Sequence, residues 1–226
     1  MYNTVDSIIV GNFVGSNALA AVGSSTSLIC LLIAFSMGAS AGAGVIVSQF
    51  YGAGDENGVQ RSAHTALMLA LILGIVLTIA GIVFSPAILR WMRTPEEVMN
   101  QSVLYLRIYS YGLVFNVIYN MAAGILNAVG NSRRSLMYLA VASFSNIFLD
   151  YLFVAQFQWG VAGVAWATFL AQGVSAVLAF LTLWRRLAAY TRELERQPLF
   201  DRSLLWRIIA IAVPSIMQQS VLSVGN

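Results

Sequence analysis

The sequence predicts an all-α fold, a polytopic transmembrane helical bundle. Composition, block length and charge placement predict it. Of the 226 residues, 59% are hydrophobic and only 9% charged, against about 25% charged in soluble domains. The apolar residues come in blocks of about twenty or more, the length that crosses roughly 30 Å of hydrocarbon. The basic residues are all arginine, and they gather in alternate loops, as the positive-inside rule requires.

The blocks follow in order between polar punctuation. A stub over residues 1–10 ends at Gly11-Asn12. The first full span covers 18–50 and closes in the turn Gly52-Ala53-Gly54-Asp55. The next covers 63–89 and stops at RWMRTPEE. Spans follow at 102–128, 136–156 and 161–184. The polar stretch RRLAAYTRELERQPLFDRS reads as a surface helix or linker, and a last span starts near residue 205. This divides the chain into a transmembrane lobe over 1–184, a cytoplasmic linker over 185–203, and one further helix over 204–226.

With the stub running outward, nine arginines face the cytoplasm: Arg61, Arg133, Arg134, Arg185, Arg186, Arg192, Arg196, Arg202 and Arg207. Arg90, Arg93 and Arg107 are left on the other side. Trp91 and Trp159 then lie at the outer interface, Trp184 and Trp206 at the inner one, as an aromatic belt does. The net charge of +3 is therefore read as topology, and no nucleic-acid partner is implied. Ten residues are too few to span, and the last block stops at VLSVGN. Both ends are therefore expected to be cut from a longer protein or a late-starting reading frame.

Two acidic residues fall inside spans, Asp6 and Asp150. Asp150 lies about six residues, or roughly 9 Å, from its outer end, and Asp6 lies at nearly the same depth. Each has an amide one turn away on its own helix face, Asn3 and Asn146. Thr168 on the next inward span reaches a similar depth. Charges at mid-membrane cost at least ~2.5 kcal/mol by insertion scales, so such acids are candidate functional groups. Carboxylate, amide and hydroxyl oxygens are hard ligands for a small cation such as sodium. Two carboxylates sharing a low-dielectric site also suit a shared proton. The alternatives are a structural hydrogen-bonded pair, or an Asp6 that caps a loop. Aligning Asp6 with Asp150 also matches Val10 with Val154 and Phe13 with Phe157. That is a faint internal echo of the repeats transporters use.

Several segments resemble the multidrug and toxic compound extrusion (MATE) transporters. They are YNTVDSIIVGNFVGSNALAAVG at 2–23, MGASAGAGVIVSQFYGAGD at 37–55, GILNAVGNSRRSLMY at 124–138, NIFLDYLFV at 146–154, WGVAGVAWATFLAQ at 159–172 and IAVPSIMQQSV at 211–221. Their order and spacing, across nearly the whole chain, carry the resemblance. It implies the first of two six-helix lobes: partial helix one, helices two to six, and the start of helix seven. It also implies export of drugs and organic cations in exchange for Na+ or H+, across what would be a bacterial inner membrane. No cofactor beyond the coupling ion is implied, and the partners would be small-molecule substrates, membrane lipid and the second lobe. By resemblance the cation or proton site comprises Asp6, Asn146, Asp150 and Thr168. Tyr105 and Asn120 would join its hydrogen-bond network and the lobe cavity. Tyr105 as an interface anchor and Asn120 as a helix–helix hydrogen bond are the competing readings. Asn127 and Asn131 depart from the arginine and acid that many members carry at this turn. Both bear on loop packing.

The remaining features have simpler readings. Gly38, Gly42 and Gly44 suit close helix packing in lipid, and Pro214 is expected to kink the last span. His64 reads as an interface residue and Cys30 as a packing residue. GAGDENG lacks the lysine of a phosphate-binding loop, and no Ser/His/Asp or paired-cysteine pattern supports an enzyme. Two other functions stay open: a flippase for lipid-linked saccharides, which would need basic cavity residues, and a fragment that binds but does not transport.

Overall fold

The computed structural model describes the backbone of residues 2–191 and 200–224, and side chains within 6–188 and 200–221. The helices are α1 (Tyr2–Phe13), α2 (Ser16–Gly52), α3 (Glu56–Trp91), α4 (Glu96–Tyr111), α5 (Leu113–Ala128), α6 (Ser132–Tyr151), α7 (Gly160–Thr191) and α8 (Arg202–Val224). A π-helical turn, Leu152–Gln156, extends α6. Five of these helices are long and apolar enough to cross a membrane, so the chain is a multi-pass membrane protein.

Local chemistry sets the boundaries. At the α2–α3 turn Gly54 takes φ 70°, a left-handed conformation, and the Asp55 side chain accepts from Gly58 N at 2.9 Å. This satisfies one of the donors a helix start leaves open. Gly130, with φ 75°, makes the equivalent reversal between α5 and α6. The α4 helix begins at Glu96, earlier than the apolar block suggests. Pro95 precedes it, and Glu96 and Glu97 occupy its first turn, where the positive end of the helix favours acids.

The span expected over 102–128 is two helices. Gly112 N bonds to Tyr109 O at 2.9 Å, three residues back, which tightens the chain and separates α4 from α5. A Cβ on Gly112 would come within 2.8 Å of Gln172 Oε1, so α7 packs closely against the break. At the outer end of α6, Phe157 N reaches five residues back to Leu152 O at 3.1 Å. The π turn begins two residues after Asp150. The α7 helix runs on past Trp184, so the start of the expected linker is helical, whereas 192–199, with Arg192 and Arg196, lie outside the described residues. The α8 helix passes through Pro214 without an end.

Packing registers fix the directions. Along α2, Gly42 lies against Ile208 and Ala212 and Gly38 against Ile216, so α8 runs antiparallel to α2. Hypothetical Cβ atoms at these glycines would lie 2.6 Å from Ile208 O and 2.6 Å from Ile216 N. Backbone proximity of this kind is what small residues permit in lipid. Gly44 faces Gly124 of α5 in ordinary contact, and Ser40 Oγ donates to Asn120 O at 2.6 Å. Between α6 and α7, Asn146 meets Thr168 while Tyr138 meets Thr182, again antiparallel. The arginine-rich end is tied together: Arg61 pairs with Asp201, and Arg207 Nη2 donates to Gln49 Oε1 at 3.1 Å. The outward faces of α3 and α6, with Ile72, Val76, Ile79, Val83, Phe144 and Phe148 exposed, are apolar, as a lipid-facing surface must be.

Candidate functional site

Three pairs spaced four residues apart supply most of the site. Tyr105 and Tyr109 lie on α4, Asn146 and Asp150 on α6, and Thr168 and Gln172 on α7. That spacing stacks each pair on one helix face. Asp6 comes from the short α1, which packs against α2, α6 and α7.

These elements bring Asp6, Tyr105, Asn146, Asp150 and Thr168 into one cluster, each no more than 1% exposed. Tyr105 Oη donates to Asp6 Oδ2 at 2.9 Å, and Thr168 Oγ1 donates to the same oxygen at 3.3 Å. Asn146 Nδ2 donates to Thr168 Oγ1 at 3.2 Å. The carboxyl groups of Asp6 and Asp150 are close enough to act on each other electrostatically. Among the described residues four oxygens have no donor: Asp6 Oδ1, Asn146 Oδ1 and both carboxylate oxygens of Asp150.

An acceptor-only set of this kind is electrostatically incomplete. Each buried acid costs about 2.5–3.5 kcal/mol at the bilayer centre, and unpaired buried acceptors add to that cost. Among the described residues no basic side chain acts on either carboxyl group. A proton between the two acids, or a small hard cation among the four oxygens, is the chemistry that completes the set.

Asn120 is placed elsewhere. It lies 15 residues beyond Tyr105 in sequence, past the break at Gly112. Its Nδ2 donates to Asn116 O at 2.8 Å and to Asn116 Oδ1 at 3.0 Å. Its described hydrogen bonds therefore join it to Asn116 and Ser40 and not to the Asp6 cluster. Asn120 lines a separate cleft between α2, α5 and α8. That cleft has a volume of about 490 Å³ and is lined also by Ser40, Ser48, Asn127 and Gln219. The side chain of Asn3 lies outside the described residues.

Two residues extend the site beyond the sequence reading. Gln172 Nε2 donates to Tyr109 Oη at 3.3 Å, both side chains are buried, and Gln172 Oε1 has no donor. The rings of Tyr105 and Tyr109 are 6.2 Å apart, so a polar column descends from the acids along α4 and α7. The signal for it was available: Gln172 follows Thr168 by four residues, on the same face.

A family model, MatE, matches residues 1–152. The chain belongs to the MatE family. Among its curated relatives, the probable multidrug resistance protein YoeA of Bacillus subtilis (strain 168) is 31% identical over 232 residues. The match covers 98% of this MatE chain and 49% of YoeA. The probable multidrug resistance protein YpnP of the same organism is 29% identical, over 99% of this chain and 50% of YpnP. Of solved structures, a MATE protein in its bent conformation superposes with a TM-score of 0.89 at 29% identity, covering 99% of this chain and 50% of that one. This MatE chain thus spans about half the length of the curated relatives it matches, and the family is one of transporters, not enzymes.

Proposed function

We propose that this MatE chain is the cation-handling half of a secondary antiporter that exports drugs and organic cations in exchange for Na+ or H+. The observation that carries the proposal is the set of four donorless oxygens around Asp6 and Asp150. A transported cation or proton supplies the positive charge that the cluster lacks. The Tyr105 and Thr168 hydroxyls hold Asp6 Oδ2 in place, and Asn146 positions Thr168 while presenting its own carbonyl oxygen. With the acids uncompensated, charge repulsion and desolvation favour admitting water between α1, α6 and α7. With them neutralised, closure of these helices is favoured.

The cleft containing Asn120, Asn127 and Gln219 is proposed to receive substrate. Its lining mixes serine, asparagine and glutamine side chains with small and apolar ones and holds no arginine, which suits an organic cation better than the phosphate of a lipid-linked saccharide. The two sites communicate through α5 and the Gly112 break, so ion and substrate occupancy are coupled through helix packing. A bacterial cell membrane is the proposed location, from the bacterial relatives.

The test is cation-driven efflux by the whole protein in proteoliposomes, with sodium and pH gradients imposed separately at fixed membrane potential. Export driven by one of these gradients and lost in Asp150→Asn supports the proposal. Gradient-independent export, or an unimpaired variant, overturns it.

A further inference from the structure

A second cavity lies on the other side of the bundle, formed by α3, α5 and α7, with a volume of about 470 Å³. Of its eleven lining residues ten are apolar, among them Leu71, Phe115, Val177 and Leu181. The one polar group is His64. It is not part of the acidic cluster, and its lining side chains Met68, Leu71, Val177 and Leu181 are exposed apolar groups.

Its position and ends have a definite chemistry. Along α7 it extends from Ala176 to Trp184, about 12 Å at 1.5 Å per residue. That matches one leaflet of a hydrocarbon core of about 30 Å. The Trp184 end is the arginine-rich end, where Trp184 stacks on Phe180 with centroids 5.9 Å apart and lies 6.4 Å from His64. Val177, Leu181 and Arg185 recur every four residues, so exposed Arg185 stands on the same face of α7, one turn beyond Leu181 and next to Trp184. On α3, Arg61 precedes His64 by three residues, but its guanidinium is engaged by Asp201. Among the described residues, Arg185 is the exposed arginine on the groove face of α7, and it is placed to meet a headgroup.

We propose that the α3–α5–α7 groove is a binding site for an anionic phospholipid of the cytoplasmic leaflet. One acyl chain lies between Leu71, Phe115, Val177 and Leu181, and the phosphate-bearing headgroup is held at Arg185. The groove takes a lipid rather than a soluble ligand because its wall is continuous with the lipid-facing surface, and it selects an anionic one because its mouth is basic. A basic side chain near an anionic membrane surface contributes about 1 kcal/mol, roughly a fivefold preference.

The experiment uses the protein purified from vesicles of dioleoyl phosphatidylcholine and dioleoyl phosphatidylglycerol mixed in equal amounts, with retained lipid counted by native mass spectrometry. Phosphatidylglycerol is expected to be retained preferentially, Arg185→Gln to lower that preference roughly fivefold, and Val177→Trp to abolish retention by filling the groove. Phosphatidylglycerol carrying a photoreactive group in its acyl chain should label peptides containing Leu71 or Val177, a readout independent of any variant's folding. Equal retention of the two lipids, an unchanged preference in Arg185→Gln, or labelling confined to other helices overturns the assignment.

Discussion

Tyr105 and Asp6, 99 residues apart in sequence, are joined by a 2.9 Å hydrogen bond inside an otherwise acceptor-rich cluster. The phenol is one of two hydroxyls that satisfy Asp6 Oδ2, the other being Thr168. Tyr105→Phe keeps the ring and removes the donor. It is expected to destabilise the bundle by about 1–3 kcal/mol, the cost of depriving a buried acceptor. Thermal unfolding in detergent, compared with Tyr111→Phe on the exposed face, checks this. Equal effects of the two substitutions would remove Tyr105 from the site.

Asp150→Asn replaces a carboxylate whose two oxygens have no donor with a neutral group of the same shape. In the whole protein it is expected to insert at the wild-type level and to lose drug efflux. Membrane abundance by immunoblot and dye efflux from cells measure the two halves of this statement. Retained efflux at normal abundance contradicts the assigned role.

The meeting of Asp6 and Asp150 was legible because membrane depth can be counted along a helix at a fixed rise per residue. Angular position was not legible to the same degree. A lone glycine in an apolar block does not announce the break at Gly112. Asn120 was grouped with Tyr105 by resemblance, and it lines another cleft. Gln172 was missed for a different reason: amides in spans drew less notice than acids, although four-residue spacing from Thr168 pointed to it. The ends of α2 and α5 were placed within two residues, because the turns at Gly54 and Gly130 act locally, whereas α3 starts at Glu56, well before the expected 63.

Gly42→Ala tests the α2–α8 seam. The added Cβ would lie 2.6 Å from Ile208 O, closer than real side chains come to a backbone oxygen, so α8 must move away. Gly44→Ala places its Cβ 3.5 Å from Gly124 O, an ordinary contact. The first substitution is expected to lower the unfolding temperature by several degrees, a destabilisation of about 1–3 kcal/mol, and the second to leave it nearly unchanged. Equal shifts would show that the seam is not tightly packed.

Asp201 links stability to pH at the arginine-rich end. The Arg61 guanidinium, then the Ser203 hydroxyl, hold its carboxyl below the usual carboxylate range. A depressed folded-state value gives stability that is complete above the unfolded value of 3.8 and is lost as pH falls through the folded one. Because the Arg61 and Asp201 side chains are 39% and 15% exposed, the effect is screened and modest. Asp201→Asn is expected to lower the unfolding temperature equally at pH 5 and pH 8, with the difference shrinking only below about pH 4. A difference already changing between pH 5 and 8 would point to another group.

The long separations within the acidic cluster also order its assembly during synthesis. Thr168 follows Asp6 by 162 residues, which at about 5–20 residues per second is roughly 8–32 s of translation. Over that interval Asp6 gains Tyr105 first, then Asn146 and Asp150, and Thr168 last. A carboxylate without partners does not rest in hydrocarbon, so α1 must wait at the water interface while the helices after it are inserted. Docking of α1 is then a late event of biogenesis, and the ribosome has long passed the codon for Asp6 when its site closes.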